Sequence, residues 1–296
     1  MKKHATLIGL ILLSIISYQV QASQNKSGYQ ENNLYYQTNY FTTSDGVKLR
    51  YLSSGEGPTI IFQPGFMMPA EVFTPQLNLL SKSFRIIVLD PRGQGLSEDS
   101  PNDNYVARRA RDIYELIEFE NIDQCILGGW SLGVADVLSY LENFGASNLS
   151  GVILIDGPIS TEGEFIDQSW KNLLHNLQVN RKQMEENFFN SLFNNVHDTI
   201  LLNTIRERLR NTPTNSSFVA LGSHIMKPND WSGVLESMNI PVLATIAAWT
   251  FQLDKYNELD CDIVIEKFND HTLFIVEAER FNKLVMELYE KSLTYD

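Results

Sequence analysis

Ser131 stands at the centre of Gly129-Trp130-Ser131-Leu132-Gly133, a serine with a glycine two residues away on each side. The pattern directly follows the apolar run Cys125-Ile126-Leu127-Gly128 and directly precedes a helical pattern over Leu132–Phe144, the strand, tight turn and helix that a Gly-x-Ser-x-Gly nucleophile turn requires. Such a turn strains the backbone of its serine, so the flanking positions need glycine to avoid side-chain collisions. The helix that starts there offers free N–H groups and a positive dipole end to an oxyanion. Together these features point to nucleophilic attack on an acyl carbon.

A serine hydroxyl is a weak nucleophile near neutral pH and needs a general base in hydrogen-bond reach, usually histidine. The chain has five histidines. His4 falls in a segment expected to be removed, and His175, His197 and His224 fall in a helical middle stretch, at its surface or lining a pocket. His271 is left. It follows the last expected strand in Asn269-Asp270-His271-Thr272, where a loop at the carboxyl end of a sheet brings it over Ser131. Its neighbour Asp270 points the wrong way to serve the ring, and Asp90, in Asp90-Pro91-Arg92-Gly93, is expected to tie down its own loop with Arg92. No histidine pair has metal-ligand spacing and no phosphate-binding P-loop occurs, so neither a metal nor a cofactor is expected.

The elements that must position these residues show in the hydropathy pattern. Tyr40–Thr43 and Val47–Ser53 flank the turn signal Ser44-Asp45-Gly46, hence a hairpin. Thr59–Gln63, Arg85–Asp90, Gln124–Gly129 and Val152–Asp156 are compact apolar runs separated by helix-length segments such as Tyr105–Phe119. Strands alternating with helices imply a parallel sheet, and nearly continuous apolar runs imply strands buried on both faces. From Pro158 to Met238 every element looks helical, with candidates at Phe165–Leu177, Gln183–Asn194, Thr199–Arg210 and Phe218–Met226. Strands return at Pro241–Ala248 and Ile263–Phe268, and a last helix runs from Arg280 to Lys291. The expected organisation is a core over 39–157 and 239–296 interrupted by a helical cap over 158–238. Trp170, Phe188, Phe189, Phe193 and Trp231 of the cap are candidates for shaping an apolar pocket, although at helical spacing some of them form the cap's own core.

Ahead of the core, a basic start at Lys2 and Lys3, an apolar run from Ala5 to Tyr18 and small residues up to Ala22 match a cleaved secretory signal over 1–22, followed by a loose Asn/Gln/Ser-rich leader over 23–38. The protein is therefore expected to be exported, periplasmic or secreted, without stable membrane insertion. The formal net charge of −13, from 36 acidic and 23 basic residues, disfavours nucleic acid and anionic membranes as partners. Cys125 and Cys261 open strands expected to lie about 14 Å apart, three strand spacings, against the ~7 Å that a disulfide tolerates. Two free thiols are expected.

At this point the chain resembles the α/β-hydrolase superfamily, close to its serine esterase and cofactor-free haloperoxidase-like branch, over Tyr40 to Asp296. Three further stretches carry the resemblance: Asp90-Pro91-Arg92-Gly93-Gln94-Gly95-Leu96-Ser97 after the fourth strand, Gln63-Pro64-Gly65-Phe66 in the place of the oxyanion loop, and Glu277-Ala278-Glu279-Arg280-Phe281 in the final helix. The resemblance implies an α/β fold with a mostly parallel eight-stranded sheet, helices on both faces and an inserted helical cap. It also implies oxyanion donors at the Phe66 and Leu132 amides. Where the family usually has His-Gly in the oxyanion loop, this chain has Pro64-Gly65; the needed N–H is on the next residue, so the loss of one at Pro64 is tolerable.

The acid that orients the histidine usually follows the seventh strand, and Ala247-Ala248-Trp249-Thr250 has no carboxylate there. Asp156, at the end of the sixth strand, is a position used by some branches of the superfamily and is the first choice; Asp254 is the alternative. A serine at the elbow, where dehalogenases and epoxide hydrolases of the superfamily carry aspartate, argues against an alkyl-enzyme, and the cap aromatics lead to the expectation of a small apolar acyl substrate. Since fold alone does not give function, cofactor-free oxygenase or perhydrolase chemistry and non-catalytic binding of a small ligand stand as alternatives.

Overall fold

The computed structural model describes residues 36–100, 102–162, 164–210, 229–248 and 252–295. Segment 1–22, most of the leader and the helix candidate Phe218–Met226 lie outside the described residues.

The chain opens on a hairpin of β1 (Gln37–Thr42) and β2 (Lys48–Ser54), closed by Gly46 at φ 85°, where its amide donates to the Thr43 carbonyl at 2.9 Å. β1 begins inside the stretch expected to be loose, because Gln37 and Thr38 pair with Ser53 and Leu52. Next come β3 (Thr59–Gln63), a 3-10 turn at Ala70–Phe73, the short helix α1 (Thr74–Leu79) and β4 (Arg85–Leu89). Helix α2 (Val106–Phe119) leads to β5 (Cys125–Trp130), α3 (Leu132–Phe144) and β6 (Leu149–Ile155).

Between β6 and β7 the chain inserts, among the described residues, α4 (Glu164–Val179), α5 (Arg181–Leu192), α6 (Thr199–Arg210) and the short α7 (Ser232–Glu236). It finishes with β7 (Val242–Ile246), α8 (Leu253–Asn257), β8 (Ile263–Lys267), α9 (Leu273–Val276) and α10 (Ala278–Ser292).

The eight strands form one sheet in the order β1-β2-β4-β3-β5-β6-β7-β8. β2 is antiparallel to both its neighbours, and every pairing from β4 to β8 is parallel. Ile86, Ile87, Val88 and Leu89 in β4, and Val152, Ile153, Leu154 and Ile155 in β6, are all 0% exposed. Successive strand residues point to opposite faces, so both faces of the sheet are covered, and each such side chain contributes ~1.5–3 kcal/mol through burial. α3 packs on β3, β5 and α2, while α10 packs on β6, β7 and α1 through Phe281, Val285 and Leu288, spaced to share one helical face. Cys125, in β5, and Cys261, just before β8, are both free, with β6 and β7 between those two strands.

The topology also sets where chemistry can sit. After β3 the chain turns outward to β4, and it then crosses back to place β5 on the other side of β3. Loops leaving the carboxyl ends of β3 and β5 therefore diverge and open a crevice at this switch point. The loop after β3, the turn after β5, the end of β6 and the loop after β8 all emerge at that edge.

Candidate active site

Ser131 occupies the turn between β5 and α3 with φ 55° and ψ −118°, a conformation that costs a residue with a side chain of order 1–3 kcal/mol. The surroundings hold it there. A Cβ at Gly129 would lie 2.2 Å from the Gly133 carbonyl oxygen, and one at Gly133 would lie 2.3 Å from that of Gln63. Gly157 is equally constrained, with 2.3 Å from a Cβ to the Ser131 carbonyl. The Ser131 amide donates to the Ile155 carbonyl at 2.8 Å, tying the turn to β6. Leu132 is the first residue of α3, so its N–H has no carbonyl one turn back to bond.

Asp156 follows β6, is 0% exposed and has φ 42°. Its Oδ1 accepts the Ala247 amide at 2.7 Å, and its Oδ2 accepts the Ala248 amide at 2.8 Å. The same Oδ2 lies 2.6 Å from His271 Nδ1. An ionised carboxylate can only accept, so Nδ1 carries the proton and Nε2 is left as the basic nitrogen. The His271 carbonyl accepts Trp130 Nε1 at 2.9 Å, and the two rings lie 5.2 Å apart, which fixes the His271 loop against the residue preceding Ser131. Ser131 Oγ itself makes no hydrogen bond to His271 or to any other described residue. A serine hydroxyl moves between staggered rotamers, and nucleophile to base contacts commonly tighten only on substrate binding.

Of the two candidate acids, the structure brings Asp156 to His271 and leaves Asp254 exposed on α8, with no side-chain bond to it. Asp270 turns elsewhere: Oδ1 accepts the Thr272 amide and hydroxyl at 2.7 and 2.6 Å, and Oδ2 accepts Asn195 at 2.6 Å. Although burial opposes ionisation, these hydrogen bonds hold the Asp270 carboxyl below its usual range. His175 and His197 are exposed, and His224 lies outside the described residues.

The loop expected to supply an oxyanion donor, Pro64 to Met68, presses on the Ser131 turn, since a Cβ at Gly65 would lie 3.0 Å from Ser131 Cβ. Met67 has φ 64°. The loop is gripped by Gln94, fully buried, whose Nε2 donates to the Gly65 and Met68 carbonyls at 2.9 and 2.8 Å. Gln94 Oε1 accepts the Met67 amide at 3.0 Å and Arg109 Nη1 at 3.3 Å. Sequence reasoning missed this residue; its place in the loop after β4 was visible, its partners were not.

Asp90 does tie down its own loop, by accepting the Leu96 amide at 2.8 Å, but it does not pair with Arg92. Its ionic partner is Arg50 at 2.6 Å, and it also accepts the Ala70 amide at 2.6 Å. Burial, reinforced by the nearby Glu71 charge, outweighs Arg50 and pushes its carboxyl up to about 6. Arg92 instead grips Asp112 with two contacts of 2.7 Å and reaches Asp45 at 3.0 Å. Arg50 continues to Glu71 at 2.7 and 3.0 Å, and Glu71 accepts Arg208 of α6 at 3.1 Å, a bond between the insertion and the core.

Within the insertion, Phe189, Phe193 and Trp231 are 2%, 3% and 3% exposed and serve as packing. Phe188 is half-buried, with its ring 6.5 Å from that of Phe66. The side chain of Trp170 lies outside the described residues.

The model of the alpha/beta hydrolase fold family matches residues 58–255, more than half of the chain. The chain belongs to the α/β-hydrolase fold family. Serine hydrolase BPHL of Homo sapiens is 36% identical over 95 residues, 30% of this chain and 33% of that protein. The chain spans less than half the length of the curated relatives it matches. An esterase from Exiguobacterium antarcticum superposes with a TM-score of 0.76 at 21% identity, covering 86% of this chain and 100% of that one. A bromoperoxidase from Bacillus anthracis does so with a TM-score of 0.76 at 16% identity, again over 86% and 100%. Likeness at such identities shows the fold alone.

Proposed function

We propose that the protein is a serine hydrolase that cleaves a carboxylic ester or a related acyl bond through an acyl-enzyme on Ser131. The observation that carries this reading is the 2.6 Å contact of Asp156 Oδ2 with His271 Nδ1, made beside the strained turn that presents Ser131. In this reading Ser131 Oγ adds to the acyl carbon while His271 Nε2 takes its proton, and Asp156 stabilises the imidazolium that forms. The carbonyl oxygen becomes an oxyanion facing the Leu132 and Phe66 amides. Collapse expels the alcohol, which leaves with the proton from His271, and water then releases the acid by the same steps in reverse order of partners. The similarity to a serine hydrolase and to an esterase fits this chemistry.

The insertion lies against the oxyanion loop through Phe188 and against the His271 loop through Asn195, which donates to Asp270, and the Leu192 carbonyl, which accepts the Thr272 hydroxyl. It is suited to shape a small apolar acyl pocket. The basic start and apolar run over 1–22 support export to a periplasmic or extracellular space.

A rival reading, a non-catalytic binder of small ligands, draws on the missing Ser131 to His271 hydrogen bond. The deciding experiment is turnover of a panel of short and long acyl esters, lactones and thioesters, with fluorophosphonate labelling of Ser131. Turnover that disappears in Ser131→Ala, with labelling confined to Ser131, is the expected result. Ester turnover that survives Ser131→Ala sinks the mechanism, and a failure of Ser131 to label favours the binder.

A further inference from the structure

We propose that Gln94 is a positioning residue for the oxyanion hole, setting the orientation of the peptide plane whose N–H belongs to Phe66. This rests on the acyl-transfer reading above and deepens it.

Gln94 comes from the loop after β4, and both ends of its amide are in use: two carbonyls of the oxyanion loop meet Nε2, and one amide of that loop meets Oε1. The orientation of the Gln94 amide is fixed by these partners, since carbonyls can only accept and the Met67 N–H and Arg109 can only donate. The Gly65 carbonyl and the Phe66 N–H belong to one planar trans peptide, in which C=O and N–H point in opposite directions. A donor held on the Gly65 oxygen therefore aims the Phe66 N–H to the opposite side. The turn's own bond, from the Met68 amide to the Gly65 carbonyl at 3.2 Å, is longer than the Gln94 contact, and it closes over Met67 at φ 64°, so the loop leans on Gln94 to hold its shape; a Cβ added to Gly65 would already touch Ser131 Cβ at 3.0 Å.

A buried polar chain extends the clamp to the other half of the hole. Arg109, which donates to Gln94 Oε1, lies 2.9 Å from Asp136, and Asp136 accepts Gln63 Nε2 at 2.9 Å. Asp136 sits on α3, one turn after Leu132, and Gln63 ends β3 immediately before the oxyanion loop. Arg109, Asp136 and Gln94 are each 0% exposed. Gln63, Asp136, Arg109 and Gln94 thus tie the helix carrying one oxyanion donor to the loop carrying the other.

The test compares wild type with Gln94→Leu, which removes every bond made by the Gln94 amide, and Gln94→Glu, assayed at alkaline pH so that its side chain is a carboxylate able only to accept. The Glu variant keeps the Met67 and Arg109 contacts and loses those to Gly65 and Met68. Three quantities are measured: kcat and KM on p-nitrophenyl acetate, the affinity for an aryl trifluoromethyl ketone, and hydrogen exchange at the Met67 amide. Ser131 Oγ adds to the ketone carbon, its proton passes to His271, and the ketone oxygen becomes the oxyanion, so this affinity reports the hole directly.

Both variants are expected to lose about 100-fold in kcat, the scale of one missing oxyanion donor, and to lose ketone affinity in proportion while KM holds. Met67 exchange is expected to rise in Gln94→Leu only. Should Gln94→Leu fail to fold, the isosteric Gln94→Glu decides. A folded Gln94→Glu with wild-type kcat and ketone affinity overturns the proposal, as does a loss confined to KM. If the wild type turns over no ester, the functional reading has failed by itself; unchanged Met67 exchange in Gln94→Leu would then overturn the clamp as well, and faster exchange would sustain it.

Discussion

Asp156 Oδ2 meets His271 Nδ1 at 2.6 Å although β7 stands between the strands from which the two residues emerge. The span is bridged because the Asp156 carboxylate reaches over the end of β7 and is held there by the Ala247 and Ala248 amides. The geometry makes Asp156→Asn the diagnostic variant. Asparagine keeps the shape but presents an NH2 or carbonyl that no longer requires the Nδ1–H tautomer, so kcat on a good ester substrate should fall by about 10⁴ with KM little changed. Asp254→Asn, exposed and without a bond to the ring, should retain wild-type kcat. Steady-state kinetics on the two variants check both outcomes, and full activity in both would remove Asp156 from the triad.

The strain at Ser131 predicts an order of stabilities that is independent of activity. Ser131→Ala keeps a side chain at φ 55°, whereas Ser131→Gly relaxes it. Ser131→Gly should exceed Ser131→Ala in unfolding free energy by about 1 kcal/mol, despite the greater entropy of its unfolded chain. Urea denaturation of the two variants measures the difference.

Breaking the Arg50 bridge should be costly. Arg50 is 2% exposed and joins Asp90 to Glu71, so Arg50→Met leaves two buried carboxylates facing each other with only Arg208 nearby. A loss of ~3–5 kcal/mol is expected from removing one partner of a buried pair. The loss should shrink toward acid pH, where Asp90 can be neutral, and denaturant midpoints at two pH values would show whether it does.

Asp136 gives a pH dependence of defined sign. Burial, only partly offset by Arg109 and Gln63, pushes its carboxyl up to about 6 from an ordinary 3.8. Between those values the folded state holds a proton that the unfolded state has released. Stability from this group is therefore greatest at low pH and is lost as pH rises from about 4 to 6, with a slope near 1.4 kcal/mol per pH unit at most. Asp136→Asn removes that descending share, so its stability relative to wild type should improve as pH is raised from 4 to 6. Unfolding free energies across that range test the slope; a parallel pair of curves would contradict it.

Much of the scaffold was legible in the residues because it depends on local pattern. The β4 and β6 runs of Ile, Val and Leu are apolar at every position, which is what burial on both faces demands, and α3 was bounded correctly by the Ser131 turn and by Gly145 at φ 70°. His271, the histidine that meets Asp156, could be singled out by elimination among five. Side-chain pairings were harder, since each is a choice among partners distant in sequence. Asp90 and Arg92 are adjacent enough to suggest a pair, yet the fold sends one to Arg50 and the other to Asp112. Gln94 carried no signal, because its partners are backbone atoms of another loop and backbone atoms have no letter in a sequence. The aromatic residues of the insertion obeyed the ordinary rule that helical spacing buries them: Phe189, Phe193 and Trp231 pack, and Phe188 alone of the described four stands near the oxyanion loop.

At the end of β7, an acidic partner supplied from the neighbouring strand changes the demands on the local sequence. Positions 247 and 248 serve the Asp156 carboxylate through N–H groups and not through side chains. Their requirement is therefore one of chain path, with almost any residue acceptable and proline, which has no N–H to give, the marked exception. The segment is required here for its backbone and not for an acidic side chain, and chains sharing this arrangement should be recognisable by a carboxylate at the close of β6 and by variety, without proline, after β7.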